Sequence, residues 1–294
     1  MTRPLSLRRV GILGHTGRPN VRRAARRLQQ SLTRRGCTVR IEHALAGELG
    51  AVGVSLESVA SWCQVLISLG GDGTALAGAR ALAGKPGRLL PINFGGLGFL
   101  TVAEASEVND AVNAALSRTW PIARRGIVRA TVVRSGRTVK RGFAMNDAVI
   151  KGAGGYAAIH LQLSALGRDL GRLVADGLIV ASAAGSTAYS LSAGGPVLAP
   201  EVEALVVTPV CAHSLGSRSL VLPPDADLAV RVVGSFDRTI LLLDGQDQIE
   251  LRARDEVRAR LVRAAVRMVQ NPDRPFARAL QGKLGWQGSA RRSL

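Results

Sequence analysis

The chain has 294 residues, near twice the usual single-domain size, so two cooperating lobes are expected. Apolar residues make up 47% of it and charged residues 20%, a globular composition that excludes disorder for most of its length. Lys and Arg total 39 against 21 Asp and Glu, and the resulting +18 favours anionic partners, yet aromatics at 3% leave no basic-aromatic stripe of the kind that nucleic-acid binding needs.

Met1 to Arg9 is not followed by the apolar core of a signal peptide, and no run of about eighteen uncharged apolar residues occurs, so a cytoplasmic protein without membrane association is expected. The first hundred residues alternate short apolar runs with helical patterns, the signature of βαβ units and a parallel sheet. Val10 to Leu13 reads as the first strand. After a turn at 14–19, Asn20 is placed to cap a helix in which Val21, Ala24, Leu28 and Leu32 recur at helical spacing, with Arg22, Arg23, Arg26 and Arg27 on its solvated face. Gly36 ends that helix, Thr38 to Glu42 returns as a strand, and residues 65–69 and Leu89 to Phe94 read as buried parallel strands.

From about Ile122 the pattern becomes alternation, with Val128, Ala130 and Val132 on one side, a Ser135-Gly136 turn, and a strand returning through Val139 and Phe143. Further strands are read at Ile159 to Leu163, Leu178 to Ala181, Leu228 to Val233 and Thr239 to Leu243, with Asp244-Gly245 as a hairpin turn; Val257 to Val269 fits either strand or helix. Gly288 to Leu294 reads as a loosely held tail. Cys37, Cys63 and Cys211 form no CxxC pair, so buried thiols are expected rather than disulfides or a zinc site. The fold class expected is an α/β N-terminal lobe with a Rossmann-like parallel sheet plus a β-rich C-terminal lobe, α+β overall. The lobes are expected at 1–121 and 122–270, with 271–294 packing back on the first.

Chemistry concentrates in three segments. Gly70-Gly71-Asp72-Gly73-Thr74 follows a buried strand and precedes a helical run, Ala75 to Leu82. Glycines at such a turn let backbone N–H groups converge on donor phosphate oxygens, and the helix N-terminus favours negative charge. Asp72 is the odd member: it can orient or deprotonate an attacking hydroxyl, hold a metal, or cap the helix. Asn146-Asp147, after a returning strand, offers two donors and several acceptors to a base edge or ribose, or is an ordinary turn. The third segment runs from Asp176 to Pro196, where a strand empties into a loop of small and hydroxyl residues that a flat ligand can approach, with Tyr189 as its one aromatic face. Neither GxxxxGK[ST] nor GxGxxG occurs.

With these segments in this order the chain resembles the NAD kinase family, which transfers a phosphoryl group to the adenosine 2′-hydroxyl of NAD, and the likeness runs nearly end to end. Beyond GGDGT and the Asn-Asp pair, it rests on DGLIV followed by GSTAYSLSAGGP, on Thr208-Pro209, on His213-Ser214-Leu215 with Arg218, and on Leu220-Val221-Leu222-Pro223. GGDGT alone is also similar to the nucleotide loop of lipid kinases and phosphofructokinases, which lack GSTAYSLSAGGP.

The resemblance implies that Asp72 is the proton acceptor for the ribose 2′-hydroxyl and that Gly73 contacts the same substrate. It implies NAD-binding roles for Phe99, Asn146, Asp147, Asp176, Thr187, Ala188, Tyr189, Ser190, Leu191, Ser192 and Gln246, with some of these serving a neighbouring subunit's site. It further implies NAD, NADP and ATP or polyphosphate as ligands, Mg²⁺ or another divalent metal as cofactor with no protein ligand assigned to it, and a homo-oligomer, dimer or tetramer. A non-catalytic NADP-sensing module, or a GGDGT-type kinase of another substrate, stands as the alternative. The chain departs from the family at Ala183 and Ala184, where a proline and a hydroxyl are usual, at Gly96, where His or Arg is common, and at Val174, a position associated with NAD or NADH preference.

Overall fold

A computed structural model describes residues 7–96, 98–154, 158–214, 216–235 and 238–285; Leu215 and the tail from Gly288 to Leu294 lie outside the described residues. The chain divides into two units, Met1–Ala123 with Val266–Leu294, and Arg124–Ala265. Among the described residues no helix is long and apolar enough to cross a membrane.

The first unit runs β1 (Arg9–Gly14), α1 (Pro19–Arg34), β2 (Thr38–Ile41), α2 (His43–Leu49), α3 (Leu56–Trp62), β3 (Val65–Gly70), α4 (Asp72–Leu82), β4 (Arg88–Asn93), β5 (Ala103–Glu104) and α5 (Val108–Leu116). Its sheet is parallel in the order β2-β1-β3-β4. β3 has no polar side, which only a strand covered on both faces can satisfy. Val65, Ile67 and Leu69 share a core cluster with Val21, Ala25, Leu28 and Leu32 of α1, while Leu66 lies near Gly78 of α4 on the opposite face. Asn20 is not the cap of α1: the helix already begins at Pro19, whose fixed φ and missing N–H suit the first helical position, and Arg18 is the N-cap.

The second unit contains β6 (Ile122–Arg134, most of which lies in it), β7 (Arg137–Ala144), β8 (Asp147–Gly152), β9 (Ile159–Ala165), β10 (Arg168–Ala175), β11 (Gly177–Ala181), α6 (Tyr189–Ser192) and β12 (Leu205–Val210). It continues through β13 (Leu220–Leu222), β14 (Leu228–Ser235), β15 (Thr239–Leu243), β16 (Asp247–Leu251) and the larger part of β17 (Glu256–Val269). One antiparallel sheet is ordered β13-β12-β11-β8-β15-β16. β10-β9-β14-β17 form a second antiparallel array. Period-two alternation assigns the faces. Ile150, Leu178, Val180, Val207 and Leu241 join Leu161, Val230 and Leu261 in one core, whereas Val149, Ile179, Ala181 and Val206 face the other way onto Ala193 and Leu198. The ambiguous segment at 257–269 is strand, with Val257, Ala259 and Leu261 buried between exposed Arg258 and Arg260.

After β17 the chain belongs to the first unit, where Asn271 donates to the Val102 carbonyl at 3.1 Å and Arg274 pairs with Glu104 and Glu107 before α7 (Phe276–Leu284). Cys37 and Cys63 are buried as expected, but Cys211 is exposed, because it sits at a turn after β12 with φ +48°.

Candidate active site

In the first unit, loops converge at the C-terminal ends of β1, β3 and β4, the edge where ligands bind open parallel sheets. The turn after β3 is steric in origin. A Cβ on Gly70 would overlap the Thr74 side chain and approach Cβ of His15 to 3.3 Å. Gly71 is the N-cap of α4, and its carbonyl accepts from Thr74 and Ala75 at 3.1 and 3.2 Å. Asp72 is thus the first residue of the helix, where backbone N–H groups lack intrahelical acceptors.

The Asp72 carboxylate does not cap its own helix. It reaches instead to the loop after β4, where Oδ2 accepts from the Phe99 N–H at 2.9 Å and Oδ1 from the Leu100 N–H at 3.1 Å. Gly98 is glycine for the same reason: a Cβ there would collide with Asp72 Oδ1 and lie 2.8 Å from Thr101 Oγ1. Lys283 of α7 stands over the Phe99 ring, 4.2 Å from its centroid. Buried Asn93 shapes the loop beside it, donating to the Gly95 and Gly96 carbonyls at 3.2 and 2.9 Å and accepting from the Gly95 N–H at 3.0 Å. Arg18 donates to the Phe94 carbonyl at 3.3 Å and sets a guanidinium beside Gly95. The sequence reading left open which arginines lie near the glycine turn; Arg18 could have been found as the cation ending the loop after the first strand.

In the second unit, Asp244 organises the Asn146-Asp147 pair. Asp244 and Gly245 have φ of +51° and +64° and open the three-residue turn, closed by Gln246, between β15 and β16. From there the Asp244 carboxylate accepts the N–H groups of Met145, Asn146 and Asp147 at 2.9, 2.7 and 3.2 Å. Asp147 is buried, and no described residue donates to its carboxylate. Burial, and then the Asp244 charge, push the Asp147 carboxyl from 3.8 up to about 7. The side-chain Oδ1 of Asn146 is likewise buried with no hydrogen-bond partner.

The GSTAY segment packs on this pair. Ser182 donates its N–H to the Asn146 carbonyl at 2.9 Å and its hydroxyl to the Met145 carbonyl at 2.5 Å. A Cβ on Gly185 would overlap the Asn146 backbone. Of the residues implicated by resemblance, Tyr189 is exposed, Ser192 is exposed, and Thr187, Ala188 and Leu191 are half-buried. Ser190 is fully buried and its hydroxyl pairs with Thr208 at 2.8 Å. Asp176, between β10 and β11, and Gln246, after the Asp244-Gly245 turn, are exposed. Among the described residues no group of three or more His, Cys, Asp or Glu side chains is placed to hold a metal ion.

Comparison with known proteins places this arrangement. Residues 10–119 match the family model of the ATP-NAD kinase N-terminal domain, and residues 145–271 that of the ATP-NAD kinase C-terminal domain. NAD kinase 2 of Streptomyces coelicolor is 35% identical, covering 96% of this chain and 98% of that protein. An NAD kinase of Thermobifida fusca is 35% identical over 96% of this chain and 92% of its own. The crystal structure of yeast NADH kinase complexed with NADH shares the fold with a TM-score of 0.89 at 24% identity, covering 98% of this chain and 90% of that one. An NAD kinase from Archaeoglobus fulgidus in complex with ATP gives 0.74 at 22% identity over 94% and 98% of the two chains. Matched over both domains and over nearly its whole length, the chain belongs to the ATP-NAD kinase family.

Proposed function

We propose that Asp72 is the proton acceptor in the family's reaction, the phosphorylation of NAD at its adenosine 2′-hydroxyl to give NADP. The observation that carries this assignment is the Asp72 carboxylate itself, fixed by Phe99 and Leu100 at the mouth of the phosphate turn rather than spent on its own helix. A carboxylate has about four lone-pair sites, so two accepted N–H bonds leave room for a hydroxyl proton. Phosphoryl transfer needs in-line positioning and charge neutralisation more than covalent chemistry by the protein. The Gly70-Gly71-Asp72-Gly73-Thr74 turn and the N-terminus of α4 hold the donor's phosphates, with Arg18 as the nearby cation. The donor is ATP or polyphosphate, and the divalent ion it carries supplies further neutralisation.

The adenosine half of NAD is assigned to Asn146 and Asp147. The unpartnered Asn146 Oδ1 and the Asp147 carboxylate are acceptors suited to an exocyclic amine and ribose hydroxyls. Tyr189 offers its exposed ring to the dinucleotide, and Gly73, Phe99, Asp176, Thr187, Ala188, Ser190, Leu191, Ser192 and Gln246 complete the proposed contacts, Ser190 through its backbone because its hydroxyl is already paired. The enzyme works as a cytoplasmic homo-oligomer, with Asp176 serving a neighbour's site. Incubating the purified chain with Mg²⁺, ATP and NAD, with NADH and polyphosphate in parallel, tests this. The expected product carries a 2′-phosphate, and no product with any donor and acceptor pair would contradict the reading. Sedimentation at about 31 kDa, the monomer mass, would remove the oligomer.

A further inference from the structure

The parallel strands of the first unit have a second edge. Six-residue strands carry their two ends about 20 Å apart, so what gathers where β1, β3 and β4 begin is remote from the GGDGT turn where β3 ends. A cavity of about 260 Å³ lies at this edge, and four of the residues lining it are arginines. Arg9 opens β1, Arg88 opens β4, Arg267 is in register beside Arg88, and Arg118 follows α5. Among the described residues no carboxylate lines the cavity. Among the described residues none of the four makes an ion pair; Arg267 donates only to the Pro86 carbonyl, at 3.0 Å.

Gathering unpaired like charges around one recess raises their mutual energy, whereas Arg125, Arg134, Arg231 and Arg274 each meet a carboxylate; of the four, Arg88 and Arg267 are half-buried and Arg9 and Arg118 are exposed at its rim. Burial, and then the charges of Arg118 and Arg267, hold the Arg88 guanidinium below its ordinary range. The cavity also offers neutral polar and aromatic surface. Gln64 accepts the Arg8 and Arg9 N–H groups through Oε1 at 3.0 and 3.1 Å, which leaves its amide N–H groups as further donors, and Trp62, whose ring carries the Arg40 guanidinium on one face 4.3 Å from its centroid, lines the same recess. Planar guanidinium forks suit phosphate oxygens, and a recess this small takes a compact anion rather than a duplex.

We propose that this arginine-lined cavity is a second anion site, which binds a phosphoanhydride chain of two or more phosphate groups. The chain is either free or the tail of a nucleotide whose base meets Trp62. A single orthophosphate would leave most of the guanidinium charge uncompensated.

Equilibrium dialysis of the full chain against tripolyphosphate tests the site by stoichiometry, because the catalytic turn also takes phosphate. The wild type is expected to bind one equivalent more than the R88Q/R118Q variant, with NAD phosphorylation by that variant retained. Ligand-free, the variant is expected to melt no lower than the wild type, since repulsion has been removed. R9Q alone should weaken the extra equivalent about tenfold while leaving the fold untouched, which keeps the test open should the double variant fail to fold. Parallel arms with pyrophosphate and ATP separate the free chain from the nucleotide tail. Equal stoichiometry in wild type and variant, or the same loss in an R22Q/R23Q control on the solvated face of α1, would overturn the proposal. Because the readout is a difference between variants, it stands or falls apart from the kinase assay.

Discussion

Asp147 gives the sharpest test of the second unit. Its carboxyl is buried, faces the Asp244 charge, and is pushed from 3.8 to about 7. In the folded chain it keeps a proton that the unfolded chain releases near its ordinary value, so between about pH 4 and pH 7 the folded state binds more protons. The stabilisation from this group is therefore complete below about pH 4, is lost as the pH rises toward 7, and changes little above that. At about 1.4 kcal/mol per pH unit, the displacement corresponds to about 4 kcal/mol. Asp147→Asn mimics the protonated acid and cannot ionise. Urea unfolding of both proteins across this range should give a difference in stability that moves in the variant's favour by several kcal/mol with rising pH and then levels off. Parallel curves would refute the reasoning and show that Asp147 ionises as an exposed acid does.

Three further substitutions probe the other contacts. Gly98→Ala puts a Cβ where Asp72 Oδ1 lies, and it should lower turnover about 10²-fold, the scale of a misplacement of about 1 Å, with far less effect on melting temperature; unchanged turnover would show that the hold of Phe99 and Leu100 on Asp72 does not matter for catalysis. Asp244→Asn keeps a residue tolerant of positive φ but weakens the three-fold acceptor, so a stability loss of about 1–3 kcal/mol is expected in urea unfolding. In the same variant the Asp147 carboxyl should titrate lower, read by its ¹³C shift, because the neighbouring charge is gone. Tyr189→Ala should weaken NAD by roughly 1–3 kcal/mol and ATP much less if the exposed ring stacks on a base, and equal weakening of both in calorimetric titrations would refute that division.

What the sequence disclosed and what it withheld follow from range. Apolar runs and alternation are local, so the buried β3 and strands such as β9, β11, β14 and β15 were legible, as was the Asp244-Gly245 turn, whereas β8, β10, β12, β13 and β16 were not read. The partners of that turn were not: Asp244 holds backbone groups nearly a hundred positions earlier, and no spacing rule points there. The same is true of Asp72, whose carboxylate could be read as cap, base or metal ligand until Phe99 and Leu100 appeared beside it. The start of α1 was misread because Asn20 is a good cap by type, while Pro19 sets the backbone one residue sooner. At 257–269 alternating arginines and apolar residues suited two periods, and pairing with β14 decided for strand.

The central claim concerns Asp72, and separating binding from turnover in Asp72→Asn tests it most directly. Asn keeps one oxygen to accept a loop N–H, so the fold and the NAD dissociation constant should stay close to wild type. The phosphorylation rate at saturating NAD and ATP should fall about 10²–10⁴-fold, the scale for removing a general base. A variant that turns over at near the wild-type rate would contradict the assignment and leave Asp72 as the anchor of the Phe99 loop alone.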